Sequence, residues 1–189
     1  MTTTLRTARL ILRVPCVQPE AGTDRSDVDA IFQACQDRDI QRFTLVPVPY
    51  TRADAEHFVT VVAPSPGSVT RVMITPDGEL AGCIGIDLRD DPDGLPTVGS
   101  VGYWTAPGFR GRGYMTEALR AVVDDAFTDL GLRKLRWSAL AENQASARVA
   151  ARAGFRFTGP AVERGEQILT AELDVDDDRA PRRWPASGG

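Results

Sequence analysis

A chain of 189 residues has room for one domain and can bury enough surface to fold without a metal or disulfide staple. Its 22 basic and 26 acidic residues leave a formal charge of −4, which excludes a surface that neutralises a nucleic-acid backbone over its whole extent. The basic set is 21 arginines and one lysine, Lys134, so lysine chemistry has a single candidate. Cys16, Cys35 and Cys83 are odd in number and lack CxxC spacing, which reads as reduced thiols in a cytoplasmic protein. His57 is the only histidine, so a His-rich site is excluded and no metal is expected. Arg6, Arg9 and Arg13 interrupt the N-terminal apolar run, and no stretch of 18 apolar residues follows, so no membrane association is expected.

In chain order, residues 9–14 alternate and read as a first strand. Ser26 is placed to cap a helix in which Val28, Ile31, Phe32 and Cys35 share one face. Residues 39–50 read as a short irregular or helical link closed by Pro47 and Pro49, and Thr51 caps a further helix carrying Ala55, Phe58, Val59 and Val62. Strands follow at 69–75 and 80–87, joined by a turn at Pro76-Asp77-Gly78. An acidic loop from Asp90 to Pro96 leads to a strand at 98–105, which Pro107 and Gly108 break. The strongest helical pattern runs from about 114 to 130, stopped by Gly131. A strand at 132–140, a helix at 143–153 and two closing strands at 155–162 and 166–175 complete a single domain over 1–175. Residues 176–189 lack periodicity and read as a disordered tail. The order describes an α/β (α+β) domain, a mixed sheet flanked by helices.

Chemistry concentrates between Gly102 and Glu117, where a strand, a breaker, a glycine-rich turn and a long helix follow one another. Gly111 and Gly113 permit close backbone approach, the first N–H groups of a helix have no internal partner, and Arg110 and Arg112 add charge. A diphosphate suits such a turn. A Walker A ending is absent because the only lysine is elsewhere, and a dinucleotide fingerprint finds Thr116 where its third glycine belongs. A helix cap with surface arginines accounts for the glycines equally well when they are taken alone.

The longer segment Gly102-Tyr-Trp…Pro107…Gly111-Arg-Gly-Tyr-Met-Thr-Glu-Ala-Leu119 resembles the GNAT superfamily of acyl-CoA-dependent N-acetyltransferases, and more closely its RimJ/RimL-like branch. The family's pyrophosphate motif overlies Arg110 to Met115, and a second block overlies Asn143-Gln-Ala-Ser146 and Gly154-Phe155. The resemblance implies a mostly antiparallel sheet of six to seven strands, splayed in the middle and flanked by about four helices. It implies acetyl-CoA as cosubstrate, held by Tyr103, Trp104, Thr105, Arg110, Gly111, Arg112, Gly113, Tyr114, Met115, Asn143 and Ser146. Met115 departs from the glycine or alanine of the sixth motif position, and because backbone donation needs no small side chain it is expected to turn toward the core. A primary amine, on a small molecule or a protein N-terminus, would be acetylated directly. The implied catalytic groups are a backbone N–H at Tyr103 or Trp104 and the Ser146 hydroxyl, whose alternative reading is a first-turn hydroxyl that only satisfies backbone. Phe43, Tyr50 and Ser100 are the expected acceptor contacts, with Asp87, Glu142 and Glu56 as partners for a water-mediated base. Ala150 and Ser100 stand where many relatives carry tyrosine and glutamate, which leaves a non-catalytic acyl-CoA-binding module as the rival. A monomer or homodimer is expected, with no nucleic-acid partner.

Overall fold

The computed structural model describes residues 4–18, 26–90 and 96–185. Strands β1 (Leu5–Arg6), β2 (Ile11–Arg13), β3 (Ser68–Ile74), β4 (Leu80–Asp90), β5 (Pro96–Thr105), β6 (Lys134–Leu140), β7 (Arg156–Glu163) and β8 (Glu166–Asp174) form one sheet in the order β1-β2-β3-β4-β5-β6-β8-β7. Every pairing is antiparallel except that of β5 with β6. The sheet thus has eight strands rather than six or seven. The additional one is β1, whose two residues are too few to show alternation in sequence. The first strand is also shorter than 9–14, because Arg9 and Leu10 lie in the β1–β2 turn that Thr7 closes by donating to Leu10 O.

Among the described residues, five α-helices cover the sheet: α1 (Asp27–Ala34), α2 (Arg38–Phe43), α3 (Arg52–His57), α4 (Tyr114–Thr128) and α5 (Gln144–Arg152). Ser26 caps α1 by accepting from Asp29 N–H, and Thr51 forms a capping box with Asp54 on α3. A π-turn at Phe58–Val62 continues α3. The link over 39–50 contains a true helix, α2, capped by Asp37. Six residues give too little periodicity to separate a helix from a turn, so its caps are its only sequence signal.

Period-two alternation divides the core between the two faces of the sheet. On one face, Val72, Ile74 and Trp104 meet α1 to α3 through Val28, Ile31, Ile40 and Val59. On the other, Leu12, Met73, Ile84, Ile86 and Val101 meet α4 and α5 through Leu119, Val122, Val123 and Ala150. One charged pair is sealed within this second layer. Arg71 on β3 donates through Nη2 to Asp125 Oδ2 on α4 at 2.7 Å, with the two side chains 1% and 3% exposed.

Residues 176–185 are packed against the domain rather than frayed, and 186–189 lie outside the described residues. The C-terminal end of α5 presents carbonyls with no helical partner. Arg182 donates to two of the carbonyls just there, its N–H to Ala151 O at 2.8 Å and its Nε to Gly154 O at 2.7 Å. Trp184 follows, with Nε1 donating to Phe155 O at 2.8 Å and its ring 5.2 Å from Trp137 and 5.7 Å from Phe157. The like-charged Asp residues that suggest disorder are paired instead: Asp177 with Arg156 at 2.9 Å and Asp178 with Arg182 at 3.1 Å.

Asp125→Ala removes the carboxylate that faces the buried Arg71 guanidinium and is expected to cost about 3–5 kcal/mol in urea unfolding, whereas Arg71→Met with Asp125→Leu recovers most of that loss. Trp184→Ala is expected to cost about 2 kcal/mol in the same assay, and an unchanged midpoint would show that the tail contributes nothing to the fold.

Candidate functional site

The parallel pair β5–β6 holds register from Val98↔Lys134 to Val101↔Trp137 and then stops. β4 follows β5 through Thr105, and β8 follows β6 through Leu140, so the two strands part while each remains paired on its outer side. Arg133 N–H donates to Thr97 O on the β6 side, and Ala106 N–H donates to Ala81 O on the β4 side. Alternation between these two points turns the N–H and C=O of Tyr103 and Thr105 into the gap, and those of Gly102 and Trp104 toward β4. Of the two amides expected to face the reaction, Tyr103 therefore has the required direction and Trp104 does not. On β6, Ala141 N–H donates to Gln167 O on β8, so Ser138 and Leu140 present their backbone to the same gap.

At one end of the gap lies the turn that opens α4. Gly111 has φ +75° and Gly113 φ +79°, the left-handed conformation that favours glycine. Gly113 is the N-cap and carries no side chain to cap the helix. The first intrahelical bond runs from Glu117 N–H to Gly113 O, leaving the Tyr114, Met115 and Thr116 amides outside the ladder. Met115 is 5% exposed and lies in the core with Leu119, so only its backbone faces the turn.

The arginines behave differently from one another. Arg110 is held by α2, with Nη2 to Asp37 at 2.5 Å and Nη1 to Asp39 at 3.0 Å, while its Nε donates to Thr105 O at 3.3 Å. Its side chain is therefore an anchor between α2 and β5 rather than a free charge beside the glycines. Arg112 stacks over Phe109 at 5.4 Å. An arginine that motif spacing does not single out, Arg9, supports the turn. Its Nη1 donates to Arg112 O at 3.0 Å, its Nε to Glu117 at 2.7 Å, and its guanidinium covers the Tyr114 ring at 4.8 Å. Burial alone would raise the Glu117 pKa, but the Thr7 hydroxyl and Arg9 outweigh it and hold the carboxyl below its ordinary range.

Across the gap, Asn143 caps α5 by accepting from Ser146 N–H at 3.1 Å. Ser146 Oγ accepts from Trp137 Nε1 at 3.3 Å, and Ser146 O accepts from the Tyr103 hydroxyl at 3.1 Å. Tyr103, Trp137 and Ser146 thus tie β5, β6 and α5 together on the α4–α5 face. Burial pushes the Tyr103 phenol well above its ordinary pKa, so it remains a proton donor to Ser146 O.

The residues expected to contact an acceptor divide. Tyr50 is 6% exposed and belongs to the core of the α1–α3 face, so it is not available to a ligand. Beside it, burial pushes the Cys35 thiol up to about 12 despite a hydrogen bond with Tyr50. Phe43 is half-buried at the end of α2. Ser100 is half-buried and opposite the exposed Asp87. By alternation it shares the α1–α3 face with Gly102, and with Ser138 and Thr170 on the neighbouring strands, a polar strip of small side chains. Arg42 on α2 reaches Glu142 at 2.7 Å and Glu166 at 3.5 Å. Together with Arg110 it makes α2 a cross-piece joined to both arms of the gap. Among the described residues, no group of three or more His, Cys, Asp or Glu side chains could hold a metal ion, and no helix is long and apolar enough to cross a membrane.

A sheet parted between two parallel strands, with an amide-rich helix start at the opening, defines an acyl-transfer fold of the GNAT class. The chain belongs to the GNAT acetyltransferase family, whose Acetyltransferase (GNAT) domain it matches over residues 21–156. It is 41% identical over 87 residues to the probable N-acetyltransferase YjcK of Bacillus subtilis, covering 42% of this chain and 48% of that one. It is 34% identical over 85 residues to the putative ribosomal N-acetyltransferase YdaF of the same organism, covering 45% of each chain. The matched segment thus spans about half the length of either relative. In architecture it superimposes on RimL, the ribosomal L7/L12 α-N-protein acetyltransferase solved with coenzyme A, with a TM-score of 0.74 at 20% identity over 93% of this chain and all of that one.

Because Glu117 has a depressed pKa in the folded protein, its contribution to stability is present above the ordinary glutamate range and disappears as pH falls through the folded value. Wild type is therefore expected to exceed Glu117→Gln in thermal stability at pH 7, with the difference closing in acid. A pH-independent difference would mean that the carboxylate's charge plays no part.

Proposed function

We propose that this protein transfers the acetyl group of acetyl-CoA directly to a primary amine. The observation that carries this reading is the set of backbone donors left over where β5 and β6 separate: Tyr103 and Thr105 along the gap, Tyr114 to Thr116 at its opening. Such amides suit a diphosphate at the helix start and an amide-bearing arm along the strand. The residues present fit the cosubstrate by this test. Gly111 and Gly113 clear the approach, and Met115 turns its bulk away. When bound, acetyl-CoA supplies an activated acyl thioester.

The chain's own groups then have distinct tasks. Tyr103 N–H is the donor aimed where charge develops on a carbonyl oxygen. The Ser146 hydroxyl accepts from Trp137 and can relay a proton to a departing thiolate, its oxygen taking one back from water as its own proton leaves. The acceptor amine forms the new C–N bond as the C–S bond breaks, and its surplus proton passes through water to solvent. It reaches the gap over the polar strip of Ser100, Gly102 and Ser138, on the face opposite α4. Asn143 and the Tyr103 hydroxyl position α5 rather than react. Relatives named for ribosomal N-acetylation favour a protein N-terminus as acceptor.

Acetyl-CoA and CoA are expected to raise the melting temperature, whereas NAD and ATP leave it unchanged; no shift at millimolar CoA would overturn the cofactor reading. Gly113→Val forces a β-branched residue to φ +79° at the turn and is expected to weaken CoA binding at least about tenfold by titration calorimetry. Thiol release from acetyl-CoA, followed over a panel of N-terminal peptides and small amines, separates a protein N-acetyltransferase from a small-amine enzyme. It also separates both from a module that binds without turnover.

A further inference from the structure

The segment that follows β8 lies outside the residues matched by the family domain, yet its one aromatic side chain, Trp184, reaches the neighbourhood of the gap. Trp184 is fixed in place by polar contacts. Its Nε1 donates to Phe155 O at 2.8 Å, and Arg182 just before it is bonded to Ala151 O and Gly154 O at the end of α5. So held, its ring lies 5.2 Å from Trp137 at 57° and 5.7 Å from Phe157 at 37°, both attractive tilted contacts.

The orientation of Trp137, which is 3% exposed, decides what the Ser146 hydroxyl can do. At 3.3 Å the bond from Trp137 Nε1 to Ser146 Oγ is at the long end for an N–H···O contact, so a small rotation of the indole removes it. The serine backbone is tied independently, its N–H to Asn143 Oδ1 at 3.1 Å and its carbonyl to the Tyr103 hydroxyl at 3.1 Å. Only the side chain is left to the indole. A hydroxyl has one hydrogen and rotates to suit its partners. Accepting from Trp137 occupies the oxygen on that side and directs the hydrogen elsewhere; without the indole, the hydrogen can turn back onto a preceding helix carbonyl. Removing the Trp184 ring opens space beside Trp137 into which the indole can tilt, since packed surroundings collapse where a neighbour is able to move.

We propose that Trp184 is a positioning residue for acetyl transfer: by packing on Trp137 it holds the indole N–H on Ser146 Oγ and so keeps that hydroxyl's hydrogen available to the departing thiolate. This rests on the part given to Ser146 in the acetyl-transfer reading. Trp184 touches no reacting atom and acts through Trp137 alone.

Thiol release from acetyl-CoA tests it on the full chain, with the peptide or small amine of the panel that wild type turns over fastest, at a temperature where melting shows every variant folded. Ser146→Ala is expected to lower kcat at least about tenfold. Trp184→Leu is expected to lower kcat about fivefold with KM for acetyl-CoA within about twofold of wild type, and Trp184→Phe, which keeps a ring against Trp137, to retain most of the activity. In the Ser146→Ala background, Trp184→Leu is expected to cost nothing further, because the two act through one group. An unchanged kcat in Trp184→Leu, or the same loss with and without the Ser146 hydroxyl, would overturn the proposal and leave the acetyl-transfer reading standing. Full kcat in Ser146→Ala would overturn the part given to that hydroxyl, and no thiol release with any amine would overturn acetyl transfer itself; the proposal falls with either. A second readout needs no acceptor and reports only folded molecules. The Trp137 indole N–H, assigned by the loss of its magnetic resonance signal in Trp137→Phe, is expected to exchange with solvent as fast in Trp184→Leu as in Ser146→Ala. A rate kept at the wild-type level in Trp184→Leu would overturn the proposal.

Discussion

All seven residues of β6 pair with β8, but only four of them have partners on β5, and the helices behind the sheet are arranged around that discrepancy. Peptide groups inside a sheet require partners, and strands that part must expose theirs to water or to a ligand. The parting is sustained from outside. β4 holds β5 through Thr105, β8 holds β6 through Leu140, and neither strand can swing across without abandoning a complete antiparallel ladder. On the α4–α5 face, the Tyr103 hydroxyl and the Trp137 indole both end on Ser146, which sets how far α5 stands from the two strands. The gap is thus an interruption in regular structure whose dimensions are fixed by the regularity on either side.

Helix α2 gives this interruption its third wall. It is short, and its own backbone bonds are too few to make it independently stable. What seats it is charge: Arg110 reaches it from beyond β5, and Arg42 leaves it for Glu142 and Glu166 on the β6–β8 side. These pairs are partly exposed, so each contributes little alone and responds to salt. A helix seated by several weak, screened contacts can shift at modest cost. The buried Arg71–Asp125 pair is a contrasting case. It lies in the dry layer between β3 and α4, where it fixes the helix rather than lending it freedom.

Much of this organisation is legible in the sequence, for identifiable reasons. The α4 helix, the hairpin at Asp77-Gly78 and the glycine turn each have a strong local signature, a repeating apolar face or a glycine free to take the left-handed conformation that a turn needs. Features that depend on distant partners are not legible in that way. Tyr50 is expected at the acceptor only through the family resemblance, yet it closes over Cys35 in the core. Arg110 looks like a phosphate ligand because it precedes the glycines, yet two aspartates some seventy residues earlier claim it. The tail misleads through its composition, since Pro, Arg and Asp suggest solvation until the carbonyls at the end of α5 are seen to need donors. Arg9 is part of an unremarkable strand pattern, and nothing local signals its position against Glu117. Strand alternation, by contrast, is known as soon as the register is, and it alone separates Tyr103 from Trp104.

Two of the three tryptophans stand in contact, Trp137 donating to Ser146 and Trp184 stacked on it from the tail. The indole pair therefore connects the segment that follows β8 to the hydroxyl beside the gap. Its emission should be sensitive to both at once, to the polarity around Ser146 and to the seating of the tail. The protein carries its own optical reporter of that neighbourhood, placed there by the same contacts that hold its C-terminus.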